Sequence, residues 1–429
     1  MTFENLHSYL NLPDLLHITN KWSATVRNVR ELTPKDIEGI RSSFPLQVAP
    51  WATELVDVVV GTMRARKAGK APVNWLFTSM AMEQSTHPRI AQYHANVMLQ
   101  SLTNRTADTS EQQRNVLLEI GTGAGLDTRA FAQAGFAVVT YEEHAFTAAL
   151  AMANFKHAGL DSIQVVHKAW SEQSAMPTGT VAIWADPSRR SGHRRIRNST
   201  EYLPSLESLL HIASQPQIQM AGIKVGPADQ LTIKQQTPVN KLFIGFQGEC
   251  KELVLLAGNT VHNATTSVAI ITEDANAECT LVSKPASVQS DDLVSMLTND
   301  IVSCFLIEPH PAVIAANMVD QVFSETNATA IDKHIAYGIS RVQPKTSLLY
   351  QCFHVKQVLT GVRRKELKAA LASLGWSNAT EFKKRGWPGD PEQLRTELYL
   401  PPATSTTPYG TVVITRVGNN HRTLLCQRC

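Results

Sequence analysis

Long apolar runs are missing from this chain of 429 residues. Hydrophobic residues make up 43% of it, yet no stretch approaches the roughly 18 uninterrupted apolar residues of a membrane helix. A membrane partner is therefore not expected. The opening MTFENLHSYLNLPDLLHITN has neither the basic start nor the small-residue cleavage site of a secretory signal, so the expected location is cytoplasmic. Cysteine is scarce. Six residues (Cys250, Cys279, Cys304, Cys352, Cys426 and Cys429) are too scattered for a disulfide framework, and reduced thiols are expected. The terminal Cys426-Gln-Arg-Cys429 is a single C-x-x-C without the second pair a zinc site needs, so no metal is expected. Net charge is small as well: +3 overall does not by itself argue for nucleic acid.

What is present is glycine at one place. Residues 116–125, VLLEIGTGAG, form an apolar strand-like run that opens into Gly121, Gly123 and Gly125 before the helix-like LDTRAFAQAG. Glycines suit a backbone that turns sharply off a strand and approaches a ligand, and the helix start behind them offers free N–H groups. A dinucleotide loop reads G-x-G-x-x-G. Here the third glycine comes one position early, which suits S-adenosylmethionine better than NAD, with Glu119 and Thr122 in the same loop. About 20 residues on, FAVVTYEEH ends a second strand-like run with Glu142 and Glu143, where α/β nucleotide folds place an acid for the ribose hydroxyls. Glu142 is the better aligned. A third run, TVAIWADPSRR, ends in Asp186 and Pro187 and leads straight into arginines.

The set E-I-G-T-G-A-G, Y-E-E, A-x-x-N-F around Asn154, and D-P-S-R-R resembles class I S-adenosylmethionine-dependent methyltransferases. It is most similar to the bacterial group with a C-terminal THUMP-like domain. The stretches RARKAGKAPVNW (64–75), MEQST (82–86), GECKE (248–252), EPHPAVI (308–314) and KKRGWP (383–388) carry the same resemblance, which spans most of the chain. It implies an α/β fold: a Rossmann-like class I methyltransferase sheet with an N-terminal helical domain and a small C-terminal α+β (THUMP-like) module. S-adenosyl-L-methionine is the implied cofactor. Relatives often carry an acid after the third strand, where this chain has Trp170 and Ser171, so backbone contacts or packing of Trp170 are the implied replacements there. Trp75 and residues 82–86 are expected to cover the site rather than react.

Length suggests two or three domains. Residues 1–112 read mainly as helix; TPKDIEGIRSSF begins with Thr33 as a cap before Pro34. Residues 104–113, rich in polar small residues, read as a connection. Strands and helices alternate over 113–285, which argues a largely parallel, doubly wound sheet. KLFIGF, ELVLLA and SVAIIT lack helical inserts and fit an antiparallel edge. Residues 286–340 read as a bridging segment, with a helical VSMLTNDIVSCFL. Residues 341–429 read as a basic THUMP-like α+β module, since they carry 14 Lys and Arg against 5 Asp and Glu. Such asymmetry points toward phosphate.

Methyl transfer to nitrogen requires an aligned acceptor lone pair and a route for the lost proton. Asp186 is placed to accept a hydrogen bond from an acceptor N–H, while Pro187 stiffens the turn. In D-P-P-Y relatives an aromatic residue stacks on the base; Arg189 stands in that place here, and a guanidinium plane also stacks. Arg190, Arg194 and Arg195 follow within a few residues and suit a phosphate-rich substrate, with His193 among them; pairing with Glu201, Glu142 or Glu143 is the plainer alternative for some. Lys224, ending the fifth strand, either reaches substrate or snorkels to solvent. Lys383, Lys384 and Arg385 are the expected phosphate contacts of the last module. The leading reading is an RNA base methyltransferase acting on tRNA or rRNA. Alternatives are a methyltransferase for protein or small molecules, and a non-catalytic RNA-binding protein of this fold. The target nucleotide and the oligomeric state are left open by the sequence.

Overall fold

The computed structural model describes residues 12–26, 32–103, 115–191, 194–233, 238–274, 278–283 and 301–429. The expected connection at 104–113, His193 and most of the expected helix at 294–306 lie outside the described residues. By contact the chain divides into two units, Met1–Leu242 with Glu252–Thr265, and Phe243–Lys251 with Thr266–Cys429.

The first unit begins with helices α1 (Leu12–Thr25), α2 (Pro34–Ser42), α3 (Ala52–Lys67), α4 (Ser79–Gln84) and α5 (Pro88–Thr103). Helix α2 starts where the sequence says it must: Thr33 and Asp36 form a reciprocal capping box ahead of Pro34. Helix α3 is apolar nearly all round and correspondingly buried, with Val58 and Val59 fully enclosed. It is held close to the following segment because Gly61 has no side chain; a Cβ there would stand 2.4 Å from the Thr78 carbonyl carbon. Leu15, Leu16, Leu55 and Val58 share a core with Ala149, Leu150 and Ala153, so these helices pack on the sheet-covering helix described next.

The chain continues with β1 (Val116–Ile120), α6 (Leu126–Gln133), β2 (Ala137–Glu142), α7 (Ala145–His157), β3 (Ile163–His167), β4 (Thr180–Ala185), a separate short ribbon of β5 (Arg190–Ser191) and β6 (Arg194–Arg195), α8 (Leu206–Ala213), β7 (Met220–Val225), β8 (Asn240–Phe246), β9 (Glu249–Ala257), β10 (Thr266–Ile271) and β11 (Glu278–Val282). Strand order is β11-β10-β8-β9-β7-β4-β1-β2-β3. The β7-β4-β1-β2-β3 part is parallel, and β9 joins β7 antiparallel, as does β11 to β10. Because the chain runs outward from β1 to β3 and then returns to β4 on the other side of β1, the order reverses between β1 and β4. Open α/β sheets bind ligands at such a reversal, beyond the carboxyl ends of the strands. Gly121 and Asp186 stand there.

The second unit contains β12 (Phe305–Pro309), α9 (Pro311–Ala315), α10 (Val319–Glu325), β13 (Thr329–Asp332), β14 (Ile335–Ser340), β15 (Tyr350–Thr360), α11 (Arg364–Ser373), β16 (Glu381–Lys384), α12 (Pro391–Glu397), β17 (Thr411–Val417) and β18 (Asn420–Arg428). Its sheet runs β13-β14-β12-β15-β18-β17-β16, and only β16 and β17 are known parallel neighbours among these pairs. Leu306, Tyr337, Phe353 and Leu424 fill one core; Leu367, Leu371, Trp376 and Leu394 of the helix-bearing segments fill another against Val412, Ile414 and Leu425. The segment read as a bridge differs from that expectation: residues 305–309, 329–332 and 335–340 supply three of the seven strands. Its short apolar stretches gave no clear period, and burial within the sheet explains them.

Candidate active site

The glycine loop closes over the ends of β1 and β2. Gly121, Gly123 and Gly125 have φ of 92°, 52° and 79°, a left-handed backbone that side chains resist. A Cβ on Gly121 would lie 2.7 Å from the Asp186 carbonyl oxygen, and one on Gly125 would lie 2.6 Å from the Phe155 ring. Trp75 donates from its indole to Ala124 O at 2.8 Å, and Asn154 exchanges two 3.0 Å bonds with the Leu76 backbone. The N-terminal segment expected to cover the site is thus fastened to the loop and to α7.

Glu142, at the end of β2, accepts the Gly123 N–H and the His144 N–H, one on each carboxylate oxygen, both at 3.0 Å. A carboxylate offers about four lone-pair sites, so two are left for a diol. Thr122 is buried and shares a 2.6 Å hydrogen bond with Thr140. Glu119 is placed differently from expectation. It is 1% exposed, accepts from Thr128 at 2.5 Å, and burial pushes its carboxyl up to about 8. It therefore braces α6 against β1 as a neutral acid. Trp170 is half-buried on the segment after β3.

Beside the loop lies a cluster of buried ionisable groups. Lys224 Nζ is 2.8 Å from Asp186 Oδ2, 2.6 Å from Thr86 Oγ1, 3.4 Å from Asp127 Oδ2 and 3.8 Å from Glu252 Oε1. His94 lies between two carboxylates: Nδ1 is 2.9 Å from Asp127 Oδ1, and Nε2 is 3.2 Å from Glu252 Oε2, an ion-pair distance with poor hydrogen-bond angles. Thr86 also donates to Asp127 at 2.7 Å. Burial opposes the charge on Lys224, but Asp186, Glu252 and Asp127 outweigh it and raise its pKa. Burial likewise opposes charge on His94, yet Asp127 and Glu252 push it up to about 8. Burial would raise the Asp127 carboxyl; Lys224 and His94 overcome this and hold it below the usual range. Glu252 follows the same pattern, lowered against its burial by Lys224 and His94. Asp186 is the cluster's accessible member, its side chain 30% exposed against 4% for Lys224.

Pro187 is buried next to Asp186, and Arg189 NH1 lies 3.9 Å from Asp229, which also accepts from Tyr202 and the Gly226 N–H. The arginine's partner is thus neither Glu201 nor Glu142 nor Glu143. The run after it forms a β-ribbon, Arg190 opposite Arg195 and Ser191 opposite Arg194. The side chains of Arg190, Arg194 and Arg195 lie outside the described residues.

In the second unit, the three expected phosphate contacts have internal partners. Lys383 reaches Glu308 at 2.7 Å and Gln351 at 2.9 Å; Arg385 reaches Glu308 at 3.2 Å and lies over the Tyr337 ring; Lys384 donates to Gly389 O. Strand β16 sets Lys383 within reach of β12, where Glu308 occupies an inward position 12% exposed. Cys429, exposed, lies 3.3 Å from the Cys352 sulfur, whereas Cys426 is fully buried. Among the described residues no group of three or more His, Cys, Asp or Glu is arranged to hold a metal, and no helix is long and apolar enough to cross a membrane.

Sequence reasoning missed His94 and Asp127 as site residues. Thr86 was expected only to help cover the site, within MEQST, and Glu252 stood out only within the GECKE resemblance. Asp127 was findable as the acid opening α6 directly after the glycine loop. His94, in the middle of α5, carries no local signal at all.

Residues 350–428 match a family model described as THUMP domain-like. No curated protein matches the chain in sequence. Among solved structures, a protein of Porphyromonas gingivalis W83, described as a candidate methyltransferase, is 14% identical with a TM-score of 0.65 over 97% of this chain and 98% of that one. The chain therefore shares that protein's α/β fold, and its own C-terminal residues carry the THUMP domain-like match. Partial likenesses extend to a human methyltransferase 10 domain containing protein (14% identity, TM-score 0.31, covering 53% of this chain and 99% of that one). A 16S rRNA N2 G1207 methyltransferase of T. thermophilus gives 16% identity and a TM-score of 0.27 over 41% of this chain and 44% of that one.

Proposed function

We propose that the chain is an S-adenosylmethionine-dependent methyltransferase whose acceptor is a base nitrogen in structured tRNA or rRNA. One observation carries the reading: the glycine loop and Asp186 meet at the reversal of strand order, close enough that Gly121 tolerates no side chain. The loop backbone and the spare lone pairs of Glu142 fit a nucleoside with a free diol, and Thr122, Gly123 and Trp170 would line the same cofactor site. When bound, the cofactor supplies an electrophilic methyl group. The chain's own part is to orient and to hold a proton. Lys224 fixes Asp186 Oδ2, leaving Oδ1 to accept the acceptor's N–H and draw the nitrogen lone pair into line. Pro187 and Arg189 shape the rim of that site, and the Arg190–Arg195 ribbon is proposed to meet phosphate. The basic character and THUMP-like match of the last module support an RNA substrate.

A second reading, transfer to a protein or small molecule, is favoured by the internal pairing of Lys383, Lys384 and Arg385. The test is incubation of the full chain with radiolabelled S-adenosylmethionine and total RNA from cells lacking the protein, with binding followed across salt. The RNA reading expects label in one RNA species and a log–log salt slope of roughly −0.7 to −0.9 per phosphate neutralised. Unlabelled RNA and salt-independent binding would reject it.

A further inference from the structure

We infer that His94 is a positioning residue that regulates the site by pH, because its proton decides whether Lys224 is free to hold Asp186. The inference rests on the methyltransferase reading only for what Asp186 faces.

The argument is one of charge competition. Apart from Asp186, the cluster contains two cations, Lys224 and His94, and two carboxylates, Asp127 on α6 and Glu252 on β9. With His94 protonated this inner set is neutral. Asp127 then has a ring N–H in hydrogen-bond contact and Glu252 has the cationic ring at 3.2 Å, so the ammonium group is left to make its closest carboxylate contact with Asp186, at 2.8 Å. Loss of the proton removes that balance. An imidazole lone pair faces one of the two carboxylates, and both Asp127 and Glu252, at 3.4 and 3.8 Å, are left with Lys224 as their single cation. In surroundings where Lys224 is 4% and His94 1% exposed, water does little to screen this demand. The ammonium is drawn inward and Asp186, the exposed partner, loses its anchor.

Among the described residues, no other charged group is paired with the ring. The Trp184 indole of β4 packs on it, with ring centroids 4.5 Å apart, and supplies no charge. Glu119 on β1, the next acid, is neutral up to about pH 8 and then adds negative charge in the same direction. The titration of His94 itself near 8 places the transition just above neutrality. The site is therefore assembled at and below neutral pH and loosened above it. This opposes the ordinary trend for a reaction in which an acceptor gives up a proton, which becomes easier as pH rises.

The experiment uses the full chain, radiolabelled S-adenosylmethionine and total RNA from cells lacking the protein, at pH 6 to 9.5. Wild type is expected to lose transfer rate as pH rises through about 8. His94→Gln is expected to be slower by about 10- to 100-fold at pH 7, the size of a small misplacement of a catalytic group, and to keep only the shallow alkaline fall that Glu119 contributes. In the double variant His94→Gln with Glu252→Gln, one cation again faces one inner carboxylate, so most of the lost rate should return. A merely structural role for His94 gives no such rescue. An alkaline fall as deep in His94→Gln as in wild type, or a double variant no faster than the single, overturns the inference. Histidine NMR on the unlabelled reaction's protein provides an independent arm, with the His94 signal identified by its absence in His94→Gln. Titration near 8, dropping in Glu252→Gln, supports the cluster; titration at or below 6.5 overturns it. If wild type labels no RNA at any pH while His94 titrates near 8, the RNA reading falls and the charge cluster stands.

Discussion

Lys224 on β7 binds Asp186, the residue just beyond β4, across 2.8 Å, and the lysine is almost wholly buried while the aspartate is not. Of the two roles open to Lys224 in the sequence, neither substrate contact nor a stem leading to solvent matches this placement. Its charge is directed inward, toward acids from three elements, and Asp186 is the one through which the cluster reaches the surface.

Cofactor binding isolates the loop from the chemistry. The full chain is expected to bind S-adenosylmethionine and not NAD in calorimetric titration. Glu142→Ala should weaken that binding by roughly 1–3 kcal/mol, because a charge-assisted acceptor is lost together with the Gly123 and His144 anchors. Asp186→Ala should abolish methyl transfer with affinity for the cofactor close to wild type. Preferential NAD binding would reject the site as drawn.

The loop glycines should differ among themselves. Gly125→Ala drives a methyl group to 2.6 Å from Phe155 and 3.5 Å from Trp75, so thermal melting should show a loss beyond the strain of positive φ alone. Gly123→Ala meets open space and should cost only about 1 kcal/mol, the backbone term. Equal losses in the two variants would contradict this packing.

Replacing Lys383 or Arg385 should be felt as stability before it is felt as RNA affinity. Either change removes one of the two cations on Glu308, and removing both leaves the carboxylate unpaired in a largely enclosed position, a loss that costs about 3–5 kcal/mol. Lys383→Met with Arg385→Met should melt well below wild type, and adding Glu308→Gln should restore most of the loss. Wild-type melting of the double variant would show that the cations are independent of Glu308.

The thiols supply a separate check on the second sheet. Treatment of the full chain with excess oxidised glutathione should join Cys352 to Cys429, releasing two glutathione thiols, since these sulfurs are 3.3 Å apart and Cys429 is exposed. Peptide mapping should find that link, and Cys429→Ser should abolish it. A Cys426–Cys429 link would contradict the burial of Cys426.

The parallel sheet was legible because its strands are short apolar runs, the first two ending in glycine or acid and leading into helices; residues 116, 137 and 180 begin strands as read. Asp186, Glu142 and the glycine loop were legible for the same reason, since strand ends are marked by local composition. His94 was not: its meaning comes from Asp127, 33 positions along, and from Glu252, and no spacing rule links them. Lys383 and Arg385 illustrate the opposite error. A run of cations looks solvated until a strand 75 positions earlier places Glu308 against it. Charge density in a sequence counts cations but not the acids that the fold brings to them.

The order of strands in the second sheet has a consequence for how this protein is made. Strand β18, residues 420–428, lies between β15 and β17 rather than at an edge. Until those residues leave the ribosome, β15 and β17 have no partner between them and expose two rows of backbone donors and acceptors. The nascent second unit is therefore held incomplete through the synthesis of more than a hundred residues after β12, and closure comes in one late insertion. Premature termination before residue 420 removes an interior strand and leaves an aggregation-prone chain, even though every residue of the candidate active site has already been made.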